Sequence, residues 1–490
     1  MNLTKDHKFF KRTPWDHQLA GNLKASACPD GFAFFFEPGL GKTFTCINQM
    51  RLDCLTPEPR FHKMLIVAPI IVLENWRKEI LEYSKFPKER VKVVYGTRQQ
   101  RMNVVNTMAM GGEGGILITN YKTLAIMPEV LDALVKWKPH IFVLDESHRC
   151  KNIKSKQTKA AVKLSKVATK KYLLTGTPIL NTLEDVFAQY LIMDGGKTFG
   201  KSGLAFKREY FHDKNQNMPK EKHFPNWIEK FGAKQRVHEL LKPTSMFVEK
   251  SQALDLPPLL RTVIEVELTG DTKKAYRDML KDFIAFIGDL EKEGAPTAAV
   301  ANLVLTRALR LQQISTGFVS TETADGVKGI HRFKQNPKKD ALEELLSDLA
   351  VKSKVIVWAV FKENYKDIRE VCESLKINYV EVHGEVSKSQ KDESVRAFNE
   401  DDGVNVLIGH PASGGIGINL VASDVSVFYS RSFSLENDIQ AEARNHRGGS
   451  ERHKSVTRYD LVAKETIDID VMKALKEKKS IGMETLKGMI

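Results

Sequence analysis

The chain has 490 residues, of which 42% are hydrophobic and 28% charged, with a formal net charge of +14 at pH 7. This length predicts two to four domains at roughly 150 residues each, and the positive charge favours a polyanionic partner. No apolar run reaches the about 18 residues that cross a bilayer, which excludes a membrane-spanning protein. The five scattered cysteines indicate neither a disulfide framework nor a zinc site, and favour a reducing, intracellular and cytoplasmic setting.

A glycine-rich turn follows the first apolar run, which spans residues 31–36 and is typical of a buried strand. Gly39 and Gly41 allow the backbone to curl so that its N–H groups face phosphate oxygens. Lys42 can bring its charge to the β- and γ-phosphates, and the Thr43 hydroxyl can bind Mg²⁺. We therefore predict a site for ATP and Mg²⁺, with a helix N-terminus behind the phosphates. The predicted contacts of this stretch are Gly39, Leu40, Gly41, Lys42, Thr43 and Phe44.

Apolar runs then alternate with helical patterns, which predicts an α/β fold with a parallel sheet covered on both faces. Ligands of such sheets bind at the carboxyl ends of the strands. A helix is predicted over residues 72–83. Further strands are predicted at residues 64–68, 91–95, 115–119, 140–144 and 171–175.

An acidic pair stands directly after the strand predicted at residues 140–144. Asp145 can hold Mg²⁺, and Glu146 can orient and activate the attacking water. His148 has no Cys or His cluster around it, so we interpret it as a polar relay. Thr175 and Thr177 place two hydroxyls at the end of the next strand, where they can couple the acidic pair to another surface.

The strand–helix rhythm stops between residues 197 and 236, where lysines and arginines alternate with aromatic residues. This stretch could grip a phosphate backbone, or it could pack its aromatic residues and solvate its lysines. Residues 254–259 contain two prolines and are interpreted as a hinge, and residues 271–316 have helical spacing.

The second half repeats the strand–helix rhythm without a phosphate loop, with strands predicted at residues 354–359, 379–382, 405–408 and 425–429. The glycine cluster at residues 413–420 permits close approach of the backbone to a phosphate. Gln440, Arg444 and Arg447 share one face if their segment is helical. The two arginines can then act as arginine fingers, which are worth about 10³–10⁵ in rate.

Together these motifs resemble a superfamily-two DNA helicase of the Swi/Snf-like branch, of the compact viral or bacterial type. The resemblance rests on residues 39–43, 65–69 with 75–76, 118–121, the DEAH-type box at 145–148, 174–178, 414–420 and 440–449. It implies two tandem RecA-like lobes, residues 1–250 and 251–490, with ATP hydrolysed between them. Helical insertions are expected at about 195–240 and 270–318, and a basic helix at the C-terminus.

The resemblance also assigns roles to single residues. Gln18, whose amide can read an adenine edge, gains weight as a nucleotide contact, together with Gly417 and Gln440. The residues that it implies for DNA contact are Pro69, Asn75, Thr119, Tyr121, Ser413 and Gly414.

The sequence thus predicts a DNA-dependent ATPase that moves as a monomer along double-stranded or branched DNA. A fork or junction helicase that unwinds, branch-migrates or reanneals strands is the alternative within this class. From another class, an ATP-gated DNA-binding scaffold would carry the same motifs without translocating. The motifs themselves do not exclude RNA, because phosphate contacts carry little sequence information. Only the resemblance favours DNA.

Overall fold

The computed structural model describes residues 9–55, 61–111, 114–218, 225–253, 256–293, 298–322, 328–412 and 418–486. The chain divides into two compact units. The first comprises residues 1–217, 225–255 and 478–490, and the second comprises residues 218–224 and 256–477.

The first unit alternates strands and helices around one sheet. Its elements are α1 (Asp16–Ser26), β1 (Gly31–Phe36), α2 (Lys42–Asp53), β2 (Lys63–Val67), α3 (Leu73–Tyr83), β3 (Val91–Val93), α4 (Arg98–Met110), β4 (Gly115–Thr119), α5 (Tyr121–Ile126), α6 (Pro128–Trp137), β5 (Ile141–Asp145), α7 (Lys156–Ser165), β6 (Lys170–Leu174), α8 (Asp185–Asp194), α9 (Gly203–Tyr210), β7 (Phe211–Asp213), β8 (Trp227–Glu229), α10 (Ala233–Leu241), β9 (Ser245–Val248) and α11 (Lys250–Ala253). Short 3-10 helices lie at Ile70–Val72, Lys88–Arg90, Ser147–Cys150 and Lys242–Thr244.

The sheet of the first unit has the order β3-β4-β2-β5-β6-β1-β9, and its neighbours pair in parallel. All six residues of β1 and all five of β5 are buried. Such continuous apolar runs suit a parallel sheet that is covered on both faces. The order places β5, β6 and β1 side by side, so the segments that follow these three strands leave the same edge of the sheet.

The second unit starts with β10 (Leu259–Val266). Its further elements are α12 (Gly270–Glu293), α13 (Ala298–Ser315), β11 (Phe318–Glu322), β12 (Lys328–Arg332), α14 (Pro337–Leu349), β13 (Val355–Trp358), α15 (Lys362–Ser374), β14 (Tyr379–Val382), α16 (Lys388–Glu400), β15 (Val406–Gly409), β16 (Val425–Phe428), α17 (Leu435–Glu442) and β17 (Val456–Ala463). The last helix, α18 (Ile467–Leu486), starts in the second unit, and its residues from 478 onward are assigned to the first. Its parallel sheet has the order β10-β17-β16-β13-β15-β14. The predicted α/β class with two parallel-sheet lobes and helical insertions is confirmed.

The sequence prediction missed seven strands: β9, β10 and β17 of the two parallel sheets, and the small antiparallel pairs β7–β8 and β11–β12. Strand β10 is the edge of its sheet, and most of its residues are exposed, so it lacks the buried apolar run that marks a central strand. Strand β17 carries Arg458 and Asp460 among its buried positions, and these charges interrupt the apolar pattern.

The stretch between residues 197 and 236 uses its aromatic residues for packing. Phe206, Tyr210 and Phe211 are buried with Phe187 and Phe199 in the main core of the first unit. This favours a packed insertion over an aromatic nucleic-acid surface. Among the aromatic residues of this stretch that the structure describes, Phe231 differs, since it is fully exposed. In the part of the chain that the structure describes, we find no helix with the length and apolar character needed to cross a membrane.

Candidate functional site

The glycine-rich turn joins β1 to α2 and has the shape that the sequence predicts. Gly39 and Gly41 have φ values of 96° and 73°, in the left-handed region that residues with a side chain rarely adopt. Helix α2 begins at Lys42 without an acidic residue in its first turn, which leaves its N-terminus suited to an anion. The Lys42 Nζ donates to the carbonyl of Phe36 at 2.9 Å. The Lys42 side chain therefore folds back across the turn and bonds to the last residue of β1.

Gln18 lies against this turn, and its amide bonds to protein backbone. Its Oε1 accepts from the N–H of Trp15 at 3.0 Å, and its Nε2 donates to the carbonyl of Leu40 at 3.2 Å. A Cβ added to Gly41 would lie 2.3 Å from that Nε2, so the glycine permits this close contact. In this structure Gln18 supports the turn from inside, and its role as an adenine contact stays a prediction.

Two other predicted nucleotide contacts, Leu40 and Phe44, are buried. The ring of Phe44 packs edge-on against Tyr83, with centroids 5.0 Å apart, and the Arg12 guanidinium lies 4.7 Å from its centroid. The Phe44 side chain thus anchors α2. Thr43 is only half-buried at the first turn of the helix, where its hydroxyl can meet a cation.

The acidic pair ends the central strand β5. Asp145 and Glu146 are both buried, and Glu146 has a φ of 54°, which turns the chain sharply after the strand. The indole N–H of Trp76 donates to Asp145 Oδ2 at 2.8 Å, and the hydroxyl of Tyr121 donates to the Asp145 carbonyl at 2.6 Å. The sequence assigned no role to Trp76, although it belongs to the motif around Asn75. The sequence alone does not show that the Trp76 indole is buried beside the acidic end of β5.

The pKa of Asp145 is raised from 3.8 to about 6. Burial is the largest cause and the neighbouring Glu146 charge adds to it, while the Trp76 hydrogen bond and the Lys42 charge oppose the shift. The folded state therefore keeps a proton that the unfolded chain loses between about pH 4 and pH 6. Because a group with a raised carboxyl pKa binds more protons when folded, stability falls as pH rises through this window. The nucleotide-free site thus holds a destabilising carboxylate at neutral pH.

We expect Asp145→Asn to stabilise the nucleotide-free protein at pH 7.5 by about 1–3 kcal/mol, because the amide removes the buried charge. Its Oδ1 can still accept from Trp76. Thermal unfolding of both proteins at pH 7.5 and pH 4 measures the effect, which should nearly vanish at the lower pH. Asp132→Asn, at an exposed carboxyl, is the control. A variant less stable than the wild type at pH 7.5 would contradict this electrostatic account.

The predicted coupling residues meet at the end of β6. His148 Nδ1 lies 2.8 Å from Thr175 Oγ1 and 3.4 Å from Glu146 Oε2. The backbone N–H of Thr177 donates to Thr175 Oγ1 at 3.1 Å. One chain of polar contacts therefore links the acidic pair to the segment that follows β6. Strand β6 itself lies between β5 and β1 in the sheet. This is the connection expected of a relay.

The structure separates the predicted DNA contacts of the first unit into two groups. Asn75 is exposed on α3, where its Nδ2 donates to Glu79 Oε1 at 2.6 Å. Thr119 and Tyr121 are 0% and 4% exposed, and Pro69 is buried too. A side-chain contact of Thr119 or Tyr121 with DNA therefore disagrees with the structure, because both side chains face the interior at the end of β4. Ser413, Gly414 and Gly417 lie outside the described residues.

The second unit brings Arg444 and Arg447 together, but not on a helix face. Helix α17 ends at Glu442, so the prediction that Gln440 and both arginines share one continuous helix is wrong. Beyond the helix, the Arg444 carbonyl accepts from the Leu420 N–H at 3.0 Å. The Nη1 atoms of Arg444 and Arg447 both lie near the Ile418 carbonyl, at 3.5 and 3.4 Å. Arg444 is buried and Arg447 is half-exposed.

A buried ion network fixes the helix that precedes this arginine turn. Arg458 of β17 is 2% exposed, and its guanidinium bonds to Asp438 and Glu442 of α17, at 2.7 Å each. It also bonds to Asp460 at 3.1 Å and lies 3.8 Å from the Phe428 ring centroid. Paired charges with this many hydrogen bonds hold a fixed geometry. Sequence reasoning missed the network, because its members come from separate elements.

Two protein families match this chain. The SNF2-related domain matches residues 24–317, and the Helicase conserved C-terminal domain matches residues 337–449. The first match alone covers more than half of the chain.

Individual relatives are similar over most of this chain. The CHD3-type chromatin-remodeling factor PICKLE of Arabidopsis thaliana is 26% identical over 476 residues, which are 90% of this chain and 32% of the relative. An uncharacterized ATP-dependent helicase of Mycoplasma genitalium is 26% identical over 92% of this chain and 40% of its own length. The chain spans about a third to a half of the length of such curated relatives. A solved Sulfolobus solfataricus SWI2/SNF2 ATPase core in complex with dsDNA matches with a TM-score of 0.44 and 21% identity, covering 100% of this chain and 96% of that one.

Proposed function

Because the chain belongs to the SNF2-related family, we propose that it is a DNA-dependent ATPase that moves along double-stranded DNA. The relatives named above are a chromatin-remodeling factor and an uncharacterized ATP-dependent helicase. Translocation along duplex DNA is the specific form of this general kind of activity that we propose for the present chain.

The observation that carries the proposal is the convergence of three motifs at one sheet edge. The phosphate turn, the acidic pair and the threonine segment follow the adjacent strands β1, β5 and β6. The Lys42 charge is close enough to Asp145 to lower the pKa of its carboxyl against the raising effect of burial. A phosphate anchor and a buried carboxylate pair are the parts that NTP hydrolysis requires. A protein that only bound DNA would have no use for the pair.

The residues present also fit Mg²⁺. Among the described residues there is no group of three or more His, Cys, Asp or Glu that could hold a metal ion. Mg²⁺ at NTP sites is typically held by one or two protein oxygens and the substrate phosphates. Thr43 and Asp145 would hold it here, and when bound it neutralises charge on the β- and γ-phosphates. The raised pKa of Asp145 supports this, because a buried carboxylate that resists ionisation alone suits a cationic ligand.

The chain's own residues then take the following roles. The backbone N–H groups from Gly39 to Lys42 and the Lys42 ammonium bind the phosphates. Glu146 orients the attacking water and receives its proton. His148 passes this change in the protonation of Glu146 on to Thr175. Arg444 and Arg447 stabilise the charge that develops on the γ-phosphate. We place the reaction inside the cell, in the cytoplasm, where the five free cysteines stay reduced.

The fork or junction helicase remains the second candidate. One observation favours it, namely the fully exposed ring of Phe231 beside Lys230 on the insertion. An aromatic ring on a basic surface can stack on an unpaired base. We give this candidate second place because the neighbouring aromatic residues of the insertion are packed in the core.

The test is steady-state ATPase activity with blunt duplex, forked duplex, a four-way junction, single-stranded DNA or RNA. We expect blunt duplex to stimulate turnover, and Lys42→Ala to abolish it. Lys24→Ala, at an exposed lysine of α1, is the matched control. Stimulation by forks and junctions alone would favour the second candidate. An equal rate with and without nucleic acid would favour the ATP-gated scaffold.

A further inference from the structure

A pronounced charge asymmetry of the first unit lies between the acidic box and the threonine segment. Residues 149–171 contain nine lysines and arginines and no aspartate or glutamate. Helix α7, residues Lys156–Ser165, is the main element of this segment. Its apolar side chains, among them Ala160, Ala161 and Leu164, are buried in the main core, so its opposite face points to solvent. Because the apolar side of α7 is buried, the lysines on its opposite side point to solvent.

The exposed face of α7 and its two ends form a row of lysines, which we call the lysine row. Its members are Lys154, Lys156, Lys159 and Lys166, all of them exposed. Within the part of the chain that the structure describes, none of the four has an ion pair with a carboxylate. Lys163, on the same helix, differs because its Nζ lies 2.6 Å from Asp132 Oδ1. The row therefore presents uncompensated positive charge.

This charge opposes the stability of the helix. Lys156 stands in the first turn, where the positive end of the helix dipole disfavours a cation, and no acidic residue accompanies it. Lys156 and Lys159 are three residues apart, and Lys159 and Lys163 are four apart, so like charges repel along one face. The negative end of the dipole favours only Lys166, at the C-cap, and does not favour the lysines toward the N-terminus. Features that break a local rule are expected at functional sites.

We propose that the lysine row binds the phosphate backbone of duplex DNA, as a contact surface separate from the loops at the strand ends. From Lys156 to Lys166 the helix rises about 15 Å. One DNA strand places a phosphate about every 3.4 Å along the axis, so the row spans about four phosphates. Ammonium groups on flexible stems suit such contacts as point charges without base specificity. The inference rests on the proposed function, which supplies the DNA.

The salt dependence of DNA affinity tests the row. The variant Lys154→Gln/Lys156→Gln/Lys159→Gln/Lys166→Gln removes its four charges. Fluorescence anisotropy with a blunt duplex, between 50 and 200 mM salt, gives the slope of log Kobs against log salt. Each lost phosphate contact reduces the slope by about 0.9, so we expect a reduction of about 2–4. The thermal midpoint should be unchanged or higher, because repulsion within α7 is relieved.

A charge-matched control distinguishes the loss of a local DNA contact from a general effect of lower net charge. Lys163, Lys197, Lys339 and Lys362 are each ion-paired, with Asp132, Asp30, Glu370 and Glu385. Their fourfold change to glutamine removes the same formal charge and should leave the slope near the wild-type value. A row variant with the wild-type slope, or a control that loses as much, would overturn the proposal. DNA-stimulated ATPase of the wild type reports separately on the proposed function, and turnover without DNA should be equal in all three proteins.

Discussion

Replacing Arg447 by alanine should lower kcat for DNA-stimulated ATP hydrolysis by about 10³–10⁵, while ATP still binds. The reason is that a guanidinium facing the γ-phosphate stabilises charge that develops only in the transition state. Arg447 is the better candidate of the two arginines to touch ligand directly, because it is half-exposed and Arg444 is buried. Single-turnover hydrolysis and equilibrium binding of a fluorescent ATP analogue measure the two effects.

Arg452→Ala is the matched control for this prediction. Arg452 is exposed, lies five residues after Arg447 and donates to the carbonyl of Val421 at 3.0 Å. It should retain the wild-type rate. Turnover of Arg447→Ala within a few-fold of the wild type would show that hydrolysis does not use the arginine turn. A loss of ATP affinity equal to the loss of rate would point to a ground-state role instead.

The sequence predicted those parts of the fold that have a distinctive pattern of neighbouring residues. Strand β1 is a run of six buried residues ahead of a glycine turn, and both the strand and the turn lie where the pattern placed them. Strand β10 was missed because an exposed edge strand shows no continuous apolar run. Parallel pairing with β17 defines it instead, and those partners are almost two hundred residues away.

The candidate site shows the same limit. The contact of His148 with Thr175 could be anticipated, because both residues follow neighbouring parallel strands. The Trp76–Asp145 hydrogen bond joins a helix to a strand end 69 residues away, and no spacing rule reveals it. The helical spacing of polar residues also continued past Glu442, where the chain forms a turn instead, with the Arg444 carbonyl bonded to the distant Leu420 N–H. Contacts between distant segments decided each of these cases.

The acidic pair gives the second large effect, for the variant Glu146→Gln. We expect kcat to fall by about 10²–10⁴, because glutamine cannot accept the proton of the attacking water. ATP affinity should be kept or increased. The Glu146 charge helps to raise the pKa of Asp145, so removing this charge lets Asp145 ionise more readily.

This variant should therefore accumulate in its ATP-bound state, and pre-steady-state kinetics should show binding at the wild-type rate without a product burst. Glu184→Gln is the control, because Glu184 is a partly exposed carboxylate of the same unit, paired with Lys207 at 2.9 Å. Glutamine has the same shape as glutamate and meets the left-handed φ of 54° at position 146 equally well, so we expect Glu146→Gln to fold like the wild type. Wild-type turnover in Glu146→Gln would show that hydrolysis does not use the acidic pair. Loss of ATP binding would make Glu146 a structural residue of the site, and the activated water would need another base.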